Sequence, residues 1–357
     1  MADARQDVRR QTSRVTLQDV ADHAGVSLST ASRVVNDGAR RVGPTRADRV
    51  RVAVAELGYT ANLQARAVAT GQSTMVGVVV HDIADPYFSA IAAGLIEVAD
   101  ARQLLVCMSS TAATEAAERE YVALMHAQRA RAVILIGSRT DDEQARDALE
   151  EEIAAFTRSG GRAVCVGQDL LGVDTVRPEN AAGAQALAQA MVALGHRRFA
   201  VLAGPRGLLT ARDRLDGFRA GLAAWNVPLG RDQVIYGAFT RDGGYEAMSA
   251  VLAADAPRPD CVFAVTDVMA VGALARLRAG GLRVPADIAL AGFDDIGTLR
   301  DVYPPLTTVR LPLTRMGEMA AELVLSEPGG TAGTPRVIPV PGEVILREST
   351  LPHPPVS

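Results

Sequence analysis

The chain has 357 residues, 48% of them hydrophobic, which supplies apolar material for two or three cores rather than one. No apolar run reaches the roughly 18 residues of a membrane span. The polar start MADARQDVRRQTSR also lacks a signal-peptide segment, so no membrane partner and a cytoplasmic location are expected. The formal charge of −4 hides an asymmetry: residues 1–71 hold eleven Arg against seven Asp or Glu, and the remainder 26 Arg against 34 acids. A cationic head therefore precedes an acidic body, and only the head suits a polyanion.

In VTLQDVADHAGVSLSTASRVVN, the apolar positions Leu17, Val20, Ala21 and Ala24 follow helical spacing, and Leu28, Ala31, Val34 and Val35 do so again after Gly25. Gly25 suits the left-handed turn that ends the first helix, and Ser27 can cap the second through its hydroxyl. The pair predicts a helix-turn-helix whose second helix runs from Leu28 to Asn36. A third helix is expected from Thr45 to about Gly58, with Val50, Val54 and Leu57 on one face. After it, Asn62 to Ala69 reads as one short helix, marginal on its own because of the cost of nucleation.

From Met75 the pattern changes. MVGVVV, LLVCM, AVILIG, AVCVG, FAVLAG, CVFAV and IALAGF are short β-rich runs, mostly separated by helical stretches rich in Ala and Leu. Continuous apolar strands alternating with helices predict doubly wound parallel sheets. Cys107, Cys165 and Cys261 fall inside such runs and read as buried thiols in a reducing compartment. The expected organisation is a helix-turn-helix domain over 1–60, a hinge helix and linker over 61–73, and an α/β core of two subdomains. The first subdomain takes 74–172 with a return segment about 306–335, and the second takes 173–305 with a final strand about 336–350.

In a helix-turn-helix the second helix enters the major groove. Here Leu28 can meet a thymine methyl, Ser29 can donate or accept, and Arg33 can bind guanine bidentately, a pairing that discriminates by about 1–3 kcal/mol. Thr16, Thr30, Ser32 and Asn36 carry groups suited to phosphates, which set register without reading sequence. Leu17 and Tyr59 complete the DNA-facing candidates in the head.

The opening stretch, followed by ELGYTANLQARAVATGQS, resembles the head and hinge of the LacI/GalR family of bacterial transcriptional regulators. The likeness continues in HDIADPYFSAI, LGHRRFAVLAGP, RLDGFRAGL, VTDVMAVGAL, LRVPADIALAGFDDI and PPLTTVRLPLTRMG, in order, over nearly all of the chain after residue 14. The resemblance implies a homodimer on a palindromic double-stranded operator, with hinge helices that fold on DNA and push an apolar wedge into the minor groove. The wedge position is Val68, where the family commonly has leucine, and Asn62 and Arg66 match the polar hinge positions; Ala31 replaces the usual valine in the head.

The body resembles the periplasmic-binding-protein-like fold, with a small-molecule effector, a sugar or related polar compound, in the cleft between its subdomains. The resemblance places Arg214 as a ligand-gripping arginine, with Thr210 a polar neighbour. Tyr87, Phe88 and Phe239 offer aromatic surfaces, and Asp294 ends a strand, where open α/β sheets bind ligands. Thr266 stands where TDVMAVGA would more often read Asn-Asp, Leu208 offers no charge, and Asp267 is expected to cap the following helix.

Those expectations amount to a ligand-responsive repressor; the alternative is a co-repressor-dependent regulator or activator with a nucleoside-type ligand. The missing signal segment and the helix-turn-helix argue against a transport receptor. No GxxxxGK loop is possible in a chain without lysine, the five histidines show no metal spacing, and GPRGLLTARDR is too glycine-poor for a dinucleotide loop. Neither enzymatic activity, a metal nor a cofactor is expected. The tail RESTLPHPPVS carries no leucine heptad, which favours a dimer over a tetramer.

Overall fold

Thr16 opens the first helix. In the computed structural model, which describes residues 15–35, 42–60, 73–112, 114–326 and 334–351, its hydroxyl accepts the Asp19 amide while the Asp19 carboxylate accepts the Thr16 N–H at 2.8 Å. This reciprocal cap fixes the start of α1 (Leu17–Ala24), and Gly25 ends it in the left-handed region at φ 60°. The Ser27 hydroxyl accepts the Thr30 amide at the start of α2 (Leu28–Val35), and α3 (Pro44–Leu57) closes the bundle. Val20, Ala21, Ala24, Ala31, Val34, Ala47, Val50 and Ala53 form its core. Small side chains at Ala31, Ala47 and Ala53 let three short helices approach closely. The chain divides at Ser73 into this unit and a second one beginning at Thr74.

The second unit opens with β1 (Met75–Val80), α4 (Pro86–Asp100), β2 (Leu105–Ser110), α5 (Glu115–Ala127), β3 (Ala132–Ile136), α6 (Glu143–Arg158), β4 (Arg162–Val166) and β5 (Asp174–Pro178). The chain continues with α7 (Asn180–Ala193), β6 (Phe199–Leu202), α8 (Leu209–Ala223), β7 (Val234–Ile235), α9 (Arg241–Ala253), β8 (Cys261–Ala264), α10 (Asp267–Ala279) and β9 (Ala289–Ala291). It ends with β10 (Thr308–Arg310), α11 (Leu313–Leu325), β11 (Val337–Val340) and β12 (Glu343–Ile345).

Two parallel sheets result, in the orders β11-β5-β4-β3-β1-β2 and β7-β6-β8-β9. Register in the first pairs Val78 with Met108 on one side and with Ile134 on the other. Strand β3 shows why its run is continuously apolar: Ile134 and Ile136 enter one core cluster while Val133 and Leu135 enter the other with Phe156 of α6. On the first face α4 and α11 meet so closely that a Cβ on Gly94 would stand 2.0 Å from the Thr314 carbonyl oxygen, so glycine is required there. All three cysteines are free thiols, and burial pushes Cys165 up to about 11.

The subdomain boundary differs from the sequence expectation. Strand β5 belongs to the first sheet, so that layer extends to Pro178 rather than ending at Gly172. Residues 307–310 pair beside Ala291 and Asp294 on the second side, and the return to the first side begins with α11. Val337–Val340, expected in the second subdomain, instead extends the first sheet alongside Asp174–Pro178. The reason is long-range pairing: Arg336 reaches Asp174, its backbone N–H at 2.8 Å and its Nε at 2.9 Å, which seats β11 at that edge. The chain then crosses back, and β12 pairs antiparallel with β10.

Candidate functional site

The carboxyl ends of the two sheets face a cleft with about 470 Å³ of unfilled space, counting its open mouth. All seven side chains singled out from sequence, Tyr87, Phe88, Thr210, Arg214, Phe239, Thr266 and Asp294, line it. Sequence reasoning missed several others there: His81, Asp85, Ser138, Asn180 and Pro178. A signal was present. His81, Ser138 and Thr266 each fall within two residues of the end of an apolar strand, the edge where doubly wound sheets gather ligands, whereas Asn180 follows DTVRP, which has no such pattern.

Arg214, expected to grip the ligand, lines the cleft but is buried at 2% exposure. Its Nε donates to Asn180 Oδ1 at 2.9 Å and its Nη1 to the Val265 carbonyl at 2.7 Å, while Nη1 and Nη2 both reach Asp294, at 3.2 and 2.8 Å. The guanidinium also stacks 3.9 Å from the Phe293 ring centroid. Of five N–H donors four are consumed, so Arg214 braces Asp294 and Asn180 and has one N–H outside these bonds. Burial pushes Asp294 up to about 7, against the pull of Arg214.

Thr266 rather than Asp267 caps α10, its hydroxyl accepting the Met269 amide at 3.3 Å. Asp267 lies one residue inside the helix and is fully buried, accepting from Thr308 Oγ1 at 2.7 Å and the Ile296 amide at 3.0 Å. Burial and the neighbouring Asp294 charge raise it to about 8. Asp85 caps α4 through the Tyr87 amide at 2.9 Å, and its carboxyl is likewise raised, chiefly by burial. Tyr87 and Phe88 meet edge to face at 5.0 Å, and Phe239 lies over Gly204, where a Cβ would stand 1.9 Å from the ring.

Across the cleft mouth the two sides are joined. Asp141 N–H donates to the Gly207 carbonyl at 3.0 Å, Leu209 N–H to the Arg139 carbonyl at 2.9 Å, and Thr210 N–H to Ser138 Oγ at 2.9 Å. Gln168 Nε2 adds bonds to Thr210 Oγ1 at 3.0 Å and Asp213 Oδ2 at 3.2 Å. Leu208, chargeless as noted from sequence, makes an antiparallel bridge with Thr140. Behind this seam the fully buried Arg139 pairs with Glu118, and Glu118 also stands 3.5 Å from His81. Burial alone would raise Glu118, but Arg139 and His81 hold it down to about 2.

In the head, Leu28, at 46% exposure, and the exposed Ser29 and Arg33 lie on α2. The Thr30 hydroxyl is 2.8 Å from that of Ser27, and Thr16 is engaged in its cap, so both also serve the local fold. Ser32 is half-buried, and Leu17 and Tyr59 pack against the head core. Asn36, Asn62, Arg66 and Val68 lie outside the described residues. Among the described residues no helix is long and apolar enough to cross a membrane, and no cluster could hold a metal ion.

Known proteins match both units. A family model described as "Bacterial regulatory proteins, lacI family" covers residues 16–62, and one for a "Periplasmic binding protein-like domain" covers residues 188–350. The HTH-type transcriptional regulator CelR of Thermobifida fusca is 33% identical over 94% of this chain and 98% of its own length. A structure of the lac repressor dimer bound to operator and the anti-inducer ONPF superposes with a TM-score of 0.82 at 30% identity, covering 95% of this chain and all of that one. A CelR–cellobiose complex gives a TM-score of 0.68 at 30% identity over 94% of this chain and all of its own. The relatives are regulators rather than enzymes. The chain belongs to the LacI family of DNA-binding bacterial transcriptional regulators.

Proposed function

We propose that the protein is a homodimeric repressor that holds a palindromic operator with two heads and two hinge segments and releases it when an uncharged polyhydroxyl compound enters the cleft. The observation that carries this reading is the pairing of Arg214. The one arginine lining the cleft already neutralises Asp294, leaving hydroxyls, an amide and carboxylate acceptors between aromatic walls. Such a lining matches the alternating donors and acceptors of a sugar, with Phe88 and Phe239 for its apolar faces, and disfavours an anion. Leu28, Ser29 and Arg33 would read base edges, with Thr16, Thr30 and Ser32 near phosphates. Domain limits of 1–60 for the head and 61–73 for the hinge accompany this assignment.

A ligand can shift operator affinity only by as much as it favours one state of the cleft over the other. The seam from Ser138 to Asp141 against Gly207 to Thr210 is the element that ligand would stabilise. Thermal-shift measurements with cellobiose, which the CelR structure contains, with monosaccharides and with nucleosides test the class. A ligand at a hundred times its dissociation constant stabilises by about 2.7 kcal/mol. A shift from a sugar that also weakens operator binding supports the reading; a shift from nucleosides alone, with tighter operator binding, replaces it with the co-repressor alternative.

A further inference from the structure

The residues of α8 divide by face. Thr210 and Arg214 line the cleft, whereas Arg212, Asp216 and Arg219 follow four- and three-residue spacing along another side, Arg212 and Arg214 standing roughly 200° apart. With Arg206 and Tyr236 they enclose a separate groove of about 600 Å³, counting its open mouth, over a floor that includes the buried Ala211 and Leu215.

Three arginines converging with one acid is unexpected in a body that carries 26 Arg against 34 acidic residues. The exposed Arg206 places its guanidinium carbon over the Tyr236 ring, 3.6 Å from the centroid, and a guanidinium held on an aromatic face can still fork its N–H groups onto an oxyanion. Among the described residues neither Arg206 nor Arg212 has an ion-pair partner, and Arg219 meets Asp216 only at 3.4 Å in a solvent-exposed pair that contributes little. The first amides of α8 are taken up by Arg139 and Ser138 at the cleft mouth, so the groove's anion-binding capacity comes from guanidinium groups rather than the helix end.

We propose that this groove is a second ligand site, for a small phosphate monoester. Its charge matches a group carrying about −1.5 to −2 at neutral pH, and its volume leaves room for the organic remainder over the apolar floor. The site is distinct in chemistry from the cleft, which has no unpaired cation. Its wall, from Ala203 to Arg206, runs directly into Gly207 and Leu208 of the seam. Occupancy at the groove therefore steadies the same segment that closes the cleft, and each ligand tightens the other.

The test is calorimetric titration of the full-length protein with glycerol 3-phosphate at constant ionic strength, with glycerol as control. Saturable binding is expected for the phosphate ester and none for glycerol. The R206Q/R212Q variant, altered only at exposed stems, should fold with an unchanged Tm in chloride and bind at least tenfold more weakly; R219Q alone should lose about threefold. D85N removes a carboxylate from the cleft and should leave phosphate binding unchanged. Absence of saturable binding, equal affinity in R206Q/R212Q, or tighter binding in D85N, which would put the ligand in the cleft, overturns the proposal. A phosphoserine peptide that binds tenfold tighter than glycerol 3-phosphate would overturn the small-molecule assignment. None of these readouts depends on a sugar in the cleft.

Discussion

The recognition helix and the cleft display their polar groups in opposite ways. On α2, Leu28, Ser29 and Arg33 are exposed over a bundle held together by alanines and valines, so the groups proposed to read bases and the groups that stabilise the head are different residues. In the cleft they are the same residues: Arg214, Asp294, Thr266 and Thr210 each hold the fold through bonds they would also offer a ligand. A surface reader can be altered without loss of stability, while a preorganised pocket cannot, because its groups were desolvated in advance.

The largest expected effect comes from Arg214→Ala. It leaves Asp294 buried without its partner, and breaking such a pair costs about 3–5 kcal/mol. Urea unfolding should show that loss together with loss of the ligand response; a variant as stable as wild type would mean that the pair braces nothing. Arg33→Ala should leave the urea midpoint unchanged and cost about 1–3 kcal/mol of operator discrimination, read by anisotropy against a base-substituted site. Equal discrimination in the variant would remove Arg33 from base readout.

Next is the seam. Gln168→Ala removes the acceptor for the Arg139 amide and the two Nε2 bonds that reach Thr210 and Asp213; at about 1 kcal/mol for each of those two, effector binding should weaken by roughly thirtyfold, with operator affinity in the absence of ligand unchanged. Unchanged effector affinity would show that the mouth contacts do not favour the bound state. A further effect concerns pH. Asp267 has a folded pKa of about 8, well above its unfolded value near 4, so the folded state binds the extra proton between those limits and stability falls as pH rises through them. Asp267→Asn abolishes that slope, and its stability relative to wild type should climb from pH 5 to pH 8; a flat difference would mean that Asp267 does not titrate in this range.

Period and punctuation made the elements legible. Gly25 and Ser27 announced the turn, and apolar runs announced the buried inner strands such as β1, β3 and β8, while the similar run LLVCM forms the half-exposed edge strand β2. In the cleft, Thr266 and Asp294 were legible for a related reason, since polar residues after strand ends have few roles other than capping and binding, whereas Arg214 and Thr210 were legible only through the family resemblance. Partners were not. Periodicity says that Arg214 is on a helix, but its bonds to Asn180 and Asp294 join residues 34 and 80 positions away. Likewise Arg139 and Glu118 sit in unremarkable stretches and become a buried pair only when β3 and α5 pack. Strand Val337–Val340 is partly exposed and short, so nothing local in it tells which sheet it joins.

Control of the head by the cleft is read from operator affinity, measured by fluorescence anisotropy with and without a cleft sugar. Saturating sugar should weaken binding of the wild-type protein to a palindromic operator at least tenfold, and Phe239→Ala, which removes one wall of the cleft, should bind the operator normally but no longer respond. An operator affinity that stays the same when the cleft is saturated would contradict it.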